Sequence, residues 1–155
     1  MNERSLQQSG KGLLKTIHAR HSVRAYAPTT LDSATIQTLL DAAVHAPTAM
    51  HEEPWAFVVV QDQALLQRLS DLAKPVFVEE VRHRNAHGTS HSFDHFMRPD
   101  FNIFHGADTL IIICAKPLGQ FVSADCWLAA ENLMLAASAM GLGSCVIGSA
   151  ISTLN

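Results

Sequence analysis

The stretch TLIIICA at residues 109–115 is the strongest strand signal in this sequence. Its apolar residues are continuous rather than alternating with polar ones, which is typical of a strand covered on both faces. We therefore expect residues 109–115 to lie in the middle of a sheet. The stretch WAFVVV at residues 55–60 is rich in β-branched residues and predicts a second buried strand, and residues 144–147 predict a third.

Apolar residues at helical spacing predict helices around these strands. The first predicted helix covers residues 12–19. The second is capped by Thr30 or Asp32 and ends near His45. The third covers residues 63–73, and the fourth covers residues 123–140 with Gly141 as the stop. Lys74 and Pro75 are expected to end the third helix, and residues 76–84 allow another helical turn or two. Because helices and strands interleave, the fold class is α/β or α+β.

Length and composition narrow the class of protein. With 155 residues, 48% of them hydrophobic, the chain is expected to form a single domain over residues 1–155, with residues 1–11 flexible and residues 83–100 a mobile loop. The net charge of −3 offers no basic field for nucleic acid or an acidic membrane, and the longest apolar run is too short to span a bilayer. Three cysteines without CxxC spacing indicate buried thiols in a reducing compartment, so we expect a cytoplasmic protein.

Residues 20–24, RHSVR, bring together two guanidinium groups, an imidazole and a hydroxyl directly after the first predicted helix. The planar fork of arginine suits phosphate oxygens, and a hydroxyl can add one further hydrogen bond. The side chains of Arg20, His21, Ser22 and Arg24 could therefore bind a phosphate monoester. The alternative is a basic turn that is simply solvated.

Residues 46–55, APTAMHEEPW, join the end of a predicted helix to the start of a predicted strand. Pro47 and Pro54 fix two φ angles, so the loop is stiff enough to hold its amides and side chains against a planar ligand. The alternative is an ordinary connector.

Glycines follow the long predicted helix in the stretch GLGSCVIG at residues 141–148. A dinucleotide-binding fingerprint needs a strand before its glycines and a helix after them, and here the order is reversed, so we reject that interpretation. Gly141 and Gly143 are explained as a helix stop, and Gly148 could bring the backbone close to a ligand.

Four histidines, His83, His87, His91 and His95, recur at intervals of four residues, and His105 follows. On an unbroken helix they could bind a transition metal. Residues 88–90 are Gly-Thr-Ser, which breaks the helix, so we expect solvated histidines or part of an active-site lid, and no metal site.

Together these stretches resemble the nitroreductase family of FMN-dependent oxidoreductases, in order and spacing as well as in residues. RHSVR matches the family's opening basic pattern, and APTAMHEEPWAFVVV from Ala46 matches its proline-bounded loop and strand. NIFHGADTLIIICAK and AENLMLAASAMGLGSCVIG are similar to its central strand and core helix. The resemblance covers residues 13–148. It implies an α+β, nitroreductase-like fold in three layers (α/β/α), with a central, mostly antiparallel sheet flanked by helices.

The resemblance also implies a homodimer with FMN at the subunit interface and with no catalytic side chain, since the chemistry belongs to the flavin. Arg20, His21, Ser22 and Arg24 would hold the phosphate and reach toward the N1–C2=O edge. The partner subunit would supply Pro47, Thr48 and Ala49, with His51 and Glu53 behind them, and the backbone of Ile147, Gly148 and Ser149 would pass near N5 and O4. His51 and Glu53 replace the family's Asn and Gln. Family members commonly continue into a C-terminal segment that embraces the partner, whereas this sequence stops at Asn155, as expected of a shortened or incomplete chain.

The implied function is transfer of hydride from NAD(P)H through FMN to a small electrophilic acceptor, such as a nitroaromatic, quinone or enone, by a ping-pong mechanism. The alternative is a flavin-binding or metal-binding protein without turnover.

Overall fold

The computed structural model describes residues 12–85, 98 and 100–150. Residues 1–11 lie outside the described residues, and so does most of the 83–100 loop, with the histidines at 87, 91 and 95. The expectations for these residues stay predictions. The described chain divides into two compact units, of which the first comprises residues 12–23, 31–58 and 111–145, and the second comprises residues 24–30, 59–85, 98, 100–110 and 146–150. The single domain stays a prediction.

Two of the predicted helices open the first unit. Residues 12–19 are helical (α1), as expected, and their apolar side chains are exposed. Helix α2 spans Ser33–Val44, with Asp32 as its N-cap and His45 as its C-cap. The Thr35 N–H donates to Asp32 Oδ1 at 2.7 Å, and this bond lowers the pKa of the Asp32 carboxyl from its ordinary value. Of the two capping residues considered, the structure therefore selects Asp32.

Two strands and a long helix follow α2, and a further helix, α3 (Gln63–Asn85), lies between the two strands in the sequence. Strand β1 spans Trp55–Val60, β2 spans Leu110–Ala115, and helix α4 spans Val122–Ala139. The bounds of these three elements agree to within one residue with those predicted from the sequence. In the first unit, α4 packs on α2: the Asn132 side-chain amide donates to the Ala42 carbonyl at 3.1 Å. The core there consists of Ala43, Ala46, Trp55 and Ala129, and the small side chains of Ala43 on α2 and Ala129 on α4 let the two helices approach closely.

The described strands form a two-stranded antiparallel sheet. At one end of it the Lys116 N–H donates to the Pro54 carbonyl at 2.6 Å. Within the described residues β2 pairs only with β1, and its side chains range from half-buried to exposed. The expectation of a strand covered on both faces is therefore wrong for the chain by itself.

The predicted strand at residues 144–147 is also wrong, because in the described part of the chain it is reduced to one parallel bridge, from Ser144 to Ser22. The cysteines differ from expectation as well: Cys114 is exposed, whereas Cys126 and Cys145 are half-buried.

In the second unit, helix α3 spans Gln63–Asn85 without interruption. It begins after Asp62, whose Oδ1 accepts from the Leu65 N–H at 2.9 Å. Pro75 lies inside the helix, so the predicted end at this position is wrong. Proline removes one backbone bond, here to the carbonyl of Asp71. Because Asp71 is exposed, that carbonyl can bond water instead.

Residues 100–106 pack against α3 in the same unit. The Ile103 N–H donates to the buried Ser70 hydroxyl at 3.1 Å, and Ile103 and Phe104 are buried with Leu66 and Ala73. None of the helices in the described part of the chain has both the length and the apolar character needed to cross a bilayer.

Candidate functional site

The basic segment 20–24 leaves the end of α1 and is fixed by the chain that follows α4. The Arg20 N–H still donates to the Thr16 carbonyl at 3.0 Å, Ser22 pairs with Ser144, and the Val23 N–H donates to the Ser144 carbonyl at 3.0 Å. A Cβ on Gly143 would lie 2.9 Å from three side-chain carbons of Val23. Gly143 is therefore required by this close approach and not by a helix stop. Gly141, with φ +77°, is the residue that ends the helix, as predicted.

The Arg20 side chain points at helix α4. Its Nε lies 3.8 Å from Glu131 Oε1, and the two side chains are 29% and 48% exposed. The ion pair involves Nε, and the two Nη groups carry four further N–H donors that can serve an anion.

His21 and Ser22 are both exposed. The His21 Nδ1 lies 3.1 Å from the Ala19 carbonyl, which can only accept, so Nδ1 carries the proton. In the neutral ring Nε2 is then an acceptor.

The loop between α2 and β1 contains a single 3₁₀ turn, Ala49–His51, and strained backbone. Met50, His51 and Glu53 have φ values of 57°, 56° and 46°. For residues with a Cβ, such left-handed conformations cost ~1–3 kcal/mol each and persist only where surrounding contacts impose them. Met50, His51 and Glu53 are all exposed, with Met50 86% exposed.

One buried carboxylate contacts this loop. Asp125, in the first turn of α4, is 4% exposed, and its two carboxylate oxygens lie 3.2 and 3.4 Å from the Ala49 nitrogen. Asp125 is not among the predicted site residues, because its helix was predicted from the spacing of apolar residues alone. The available signal was an acidic residue four positions before Ala129, and therefore on the same face of the helix as a buried alanine.

Asp125 also influences its neighbour Cys126. Burial, the Asp125 charge and Cys114 together raise the pKa of the Cys126 thiol above its ordinary value. The thiol is therefore held in its protonated form. Cys126 packs against the core of the first unit rather than acting as a nucleophile.

Glu52 and Glu53 point to different surroundings. The Glu52 carboxylate lies over the turn after β2, where a Cβ on Gly119 would be 3.1 Å from Oε2. Glu53 is exposed and makes no hydrogen bond or ion pair with the described residues.

The predicted site residues fall in both units. Arg20, His21, Ser22, Pro47, Thr48, Ala49, His51 and Glu53 belong to the first unit, whereas Arg24, Ile147, Gly148 and Ser149 belong to the second. In the first unit, the basic segment and the loop each contact α4, at Glu131 and Asp125. No hydrogen bond or ion pair among the described residues joins residues 20–22 to residues 47–53. Arg24 and Gly148 are exposed, and a Cβ on Gly148 would meet nothing within 4 Å, so within this chain Gly148 makes no close approach.

An open cleft in the second unit involves none of these residues. Arg98 there donates to both oxygens of Asp100, at 3.1 and 2.8 Å, and this bond lowers the pKa of the Asp100 carboxyl. The positive charge of Arg98 is thereby neutralised. The cleft is lined by Arg98, Asp100, Phe101, Asn102, His105 and Gly106.

Within the described part of the chain, no three His, Cys, Asp or Glu side chains come together as a metal site requires. His83 lies 3.1 Å from Glu79 on the same helix.

Comparison with known proteins identifies the class. Residues 17–151 match the model of the nitroreductase family, so the chain belongs to this family. It is similar to a crystal structure of a nitroreductase with bound FMN from Bacteroides fragilis, with 31% identity, a TM-score of 0.73, and coverage of 88% of this chain and 70% of that one. These matches confirm the family resemblance and the α+β nitroreductase fold.

Two archaeal relatives carry the name "Putative NADH dehydrogenase/NAD(P)H nitroreductase". The relative from Archaeoglobus fulgidus is 31% identical over 87% of this chain, and the one from Methanothermobacter thermautotrophicus is 26% identical over 85%. The chain spans 66% and 58% of the lengths of these two relatives.

Proposed function

We propose that this chain is an FMN-dependent oxidoreductase that transfers hydride from NAD(P)H to a small electrophilic acceptor by a ping-pong mechanism. The observation that supports it most directly is the similarity, over 88% of the chain, to a nitroreductase with bound FMN. FMN, when bound, would supply the hydride chemistry, so the protein has only to bind, orient and electrostatically tune it. We propose a homodimer, and a cytoplasmic location where the free thiols of Cys114, Cys126 and Cys145 stay reduced.

The residues of the basic segment fit a phosphate monoester. Arg20 would donate from its Nη groups while Glu131 holds its Nε edge, since the two edges of a guanidinium are independent. The exposed hydroxyl of Ser22 adds a donor, and its backbone is held by the bridge to Ser144. Arg24 would supply the second positive charge.

The loop residues Pro47, Thr48 and Ala49, with His51 and Glu53, would orient the ring system across the subunit interface. The side chains of His51 and Glu53 are exposed and therefore open to a ligand. Ile147, Gly148 and Ser149 would supply backbone amides. No general acid, base or nucleophile is assigned, because hydride transfer requires none from the protein.

The test begins with an absorbance spectrum of the purified chain, before and after reconstitution with FMN. We expect flavin bands and, after heat release, FMN rather than FAD by mass spectrometry, because the one basic segment suits a single phosphate. Oxidation of NADH and NADPH is then followed with a nitroaromatic and a quinone, and parallel double-reciprocal plots would support the ping-pong order. Released FAD would contradict the cofactor assignment. Flavin bands without NAD(P)H oxidation would favour a flavin carrier instead.

A further inference from the structure

Among the described residues, the hydrogen bonds within the strained loop are long. Within the 3₁₀ turn the His51 N–H reaches the Thr48 carbonyl at 3.5 Å and the Glu52 N–H reaches the Ala49 carbonyl at 3.3 Å, both long for backbone bonds. Thr48, the N-cap, makes no side-chain capping bond. The left-handed conformations of Met50, His51 and Glu53 are therefore not explained by bonds within the loop.

Asp125 supplies the contact from outside. A carboxylate that is 4% exposed is normally paired with a cation or with several donors. Among the described residues, its hydrogen-bond partner is the Ala49 N–H alone, at 3.2 and 3.4 Å from the two oxygens. A charged acceptor makes a stronger bond to an amide than a neutral one does.

We propose that Asp125 is a positioning residue: its buried carboxylate holds the Ala49 amide and so fixes residues 48–53 in the conformation that binds FMN. The inference rests on the proposed function, since FMN binding by this loop is part of that proposal. Asp125 is not a catalytic residue, because it acts through the backbone of the loop.

The first test compares the FMN affinity of Asp125→Ala, Asp125→Asn and Asp41→Ala by titration of the apoprotein. We expect Asp125→Ala to bind about tenfold more weakly, since an amide that loses its buried acceptor costs roughly that factor. Asp125→Asn keeps an acceptor oxygen and should stay within about threefold of wild type. Asp41 is the matched control, an exposed acidic residue of α2 in the same unit, and its variant should match wild type. Equal affinity of Asp125→Ala and wild type would overturn the proposal.

A second variant removes the bond from the other side. Thr48 has φ −127° and ψ 146°, the extended conformation that a residue before proline requires. The proline Cδ would replace the N–H hydrogen that faces the Asp125 carboxylate, so Ala49→Pro is compared both alone and in the Asp125→Ala background. It deletes the N–H donor and leaves Asp125 intact. If the two residues act through one bond, removing both partners should cost little more than removing one. The FMN affinity of the double variant Asp125→Ala/Ala49→Pro should then lie within about threefold of that of the single variant with the lower affinity. Fully multiplicative losses would overturn the proposal. If Asp125→Ala does not fold, Ala49→Pro alone still decides the question: it should weaken FMN binding about tenfold, and wild-type affinity would overturn the proposal.

Amide hydrogen exchange at Ala49 tests the contact in the absence of FMN. The wild-type amide should exchange slowly, and Asp125→Ala should accelerate it at least about tenfold. Unchanged exchange would show that Asp125 does not hold the loop, whatever the chain binds. Failure of the wild-type chain to bind FMN, with exchange as expected, would instead overturn the proposed function and the role of Asp125 toward FMN, leaving the contact itself in place.

Discussion

At the scale of single residues, Arg20 is the side chain on which phosphate binding depends most. Its ion pair with the half-exposed Glu131 leaves the Nη groups available, and a charge-assisted bond to phosphate is lost in Arg20→Ala. We expect FMN binding to weaken by ~2 kcal/mol or more. Titration of the apoprotein measures this. Arg82→Ala, which removes an exposed arginine paired with Glu79 on α3, is the control and should bind normally. A change below threefold for Arg20→Ala would mean that Arg20 does not contact the phosphate.

Glu53 places a carboxylate where the family has an amide. It is exposed and without a hydrogen bond or ion pair among the described residues. If its charge faces the flavin, it opposes the negative charge that reduction adds. An exposed pair is worth at most about 1 kcal/mol, which corresponds to ~20 mV for a two-electron couple. We expect Glu53→Gln to raise the midpoint potential by about that amount and to speed reduction by NAD(P)H. A redox titration that finds an unchanged or lower potential would remove Glu53 from the flavin site.

Cys126 reports the electrostatics around Asp125. Its raised pKa results first from burial, then from the Asp125 charge and from Cys114. Alkylation requires the thiolate, so Cys126 should react more slowly than the exposed Cys114 and should need higher pH. Asp125→Asn removes one of the causes and should lower the pH at which Cys126 becomes reactive. Peptide-level mass spectrometry after timed alkylation measures both effects. Equal pH profiles for the two cysteines would contradict this expectation.

At the scale of elements, the junction between the basic segment and the chain after α4 depends on Gly143. A Cβ there would lie 2.9 Å from Val23, next to the Ser22–Ser144 bridge. Overpacking of this kind typically costs ~1–3 kcal/mol. We expect Gly143→Ala to lower the free energy of unfolding by that amount and to weaken FMN binding, as measured by denaturant unfolding and titration. Gly12→Ala, which meets nothing within 4 Å on α1, is the control and should be neutral or stabilising. A neutral Gly143→Ala would show that Val23 can move away.

The elements also show how far the sequence can be interpreted by itself. Strand β1 and helix α4 follow from local periodicity, and their bounds agree with the structure to within one residue. Helix α3 continues through Pro75, because the loss of one backbone N–H leaves the other hydrogen bonds of the helix in place. The roles of Gly143 and Asp125 depend on Val23 and Ala49, which are distant in the sequence. Spacing alone carries no information about such pairs, so residue types and order indicated the candidate site but not what holds it in place.

At the scale of the whole molecule, large apolar side chains are exposed in the first unit on both α1 and α4. Scattered apolar residues are normal on a surface, but several large ones on the same helices are typical of association. This exposure supports a subunit contact through the first unit, which also carries the loop residues expected to reach a partner's flavin. The exposed fractions are 57% for Leu13, 56% for Leu14, 45% for Ile17, 55% for Trp127 and 44% for Leu128.

The homodimer follows as the last prediction. Light scattering should give twice the mass of the 155-residue chain, and Trp127→Lys should shift the protein toward monomer, because it places a charge where a 55% exposed indole would be buried by a partner. If the loop of one subunit completes the site of the other, FMN affinity should fall together with dimerisation and depend on protein concentration. Leu72→Lys is the control, a 61% exposed apolar residue of α3 in the other unit, and should leave mass and affinity unchanged. A monomer that binds FMN fully would contradict the shared site, since every flavin contact would then come from one chain.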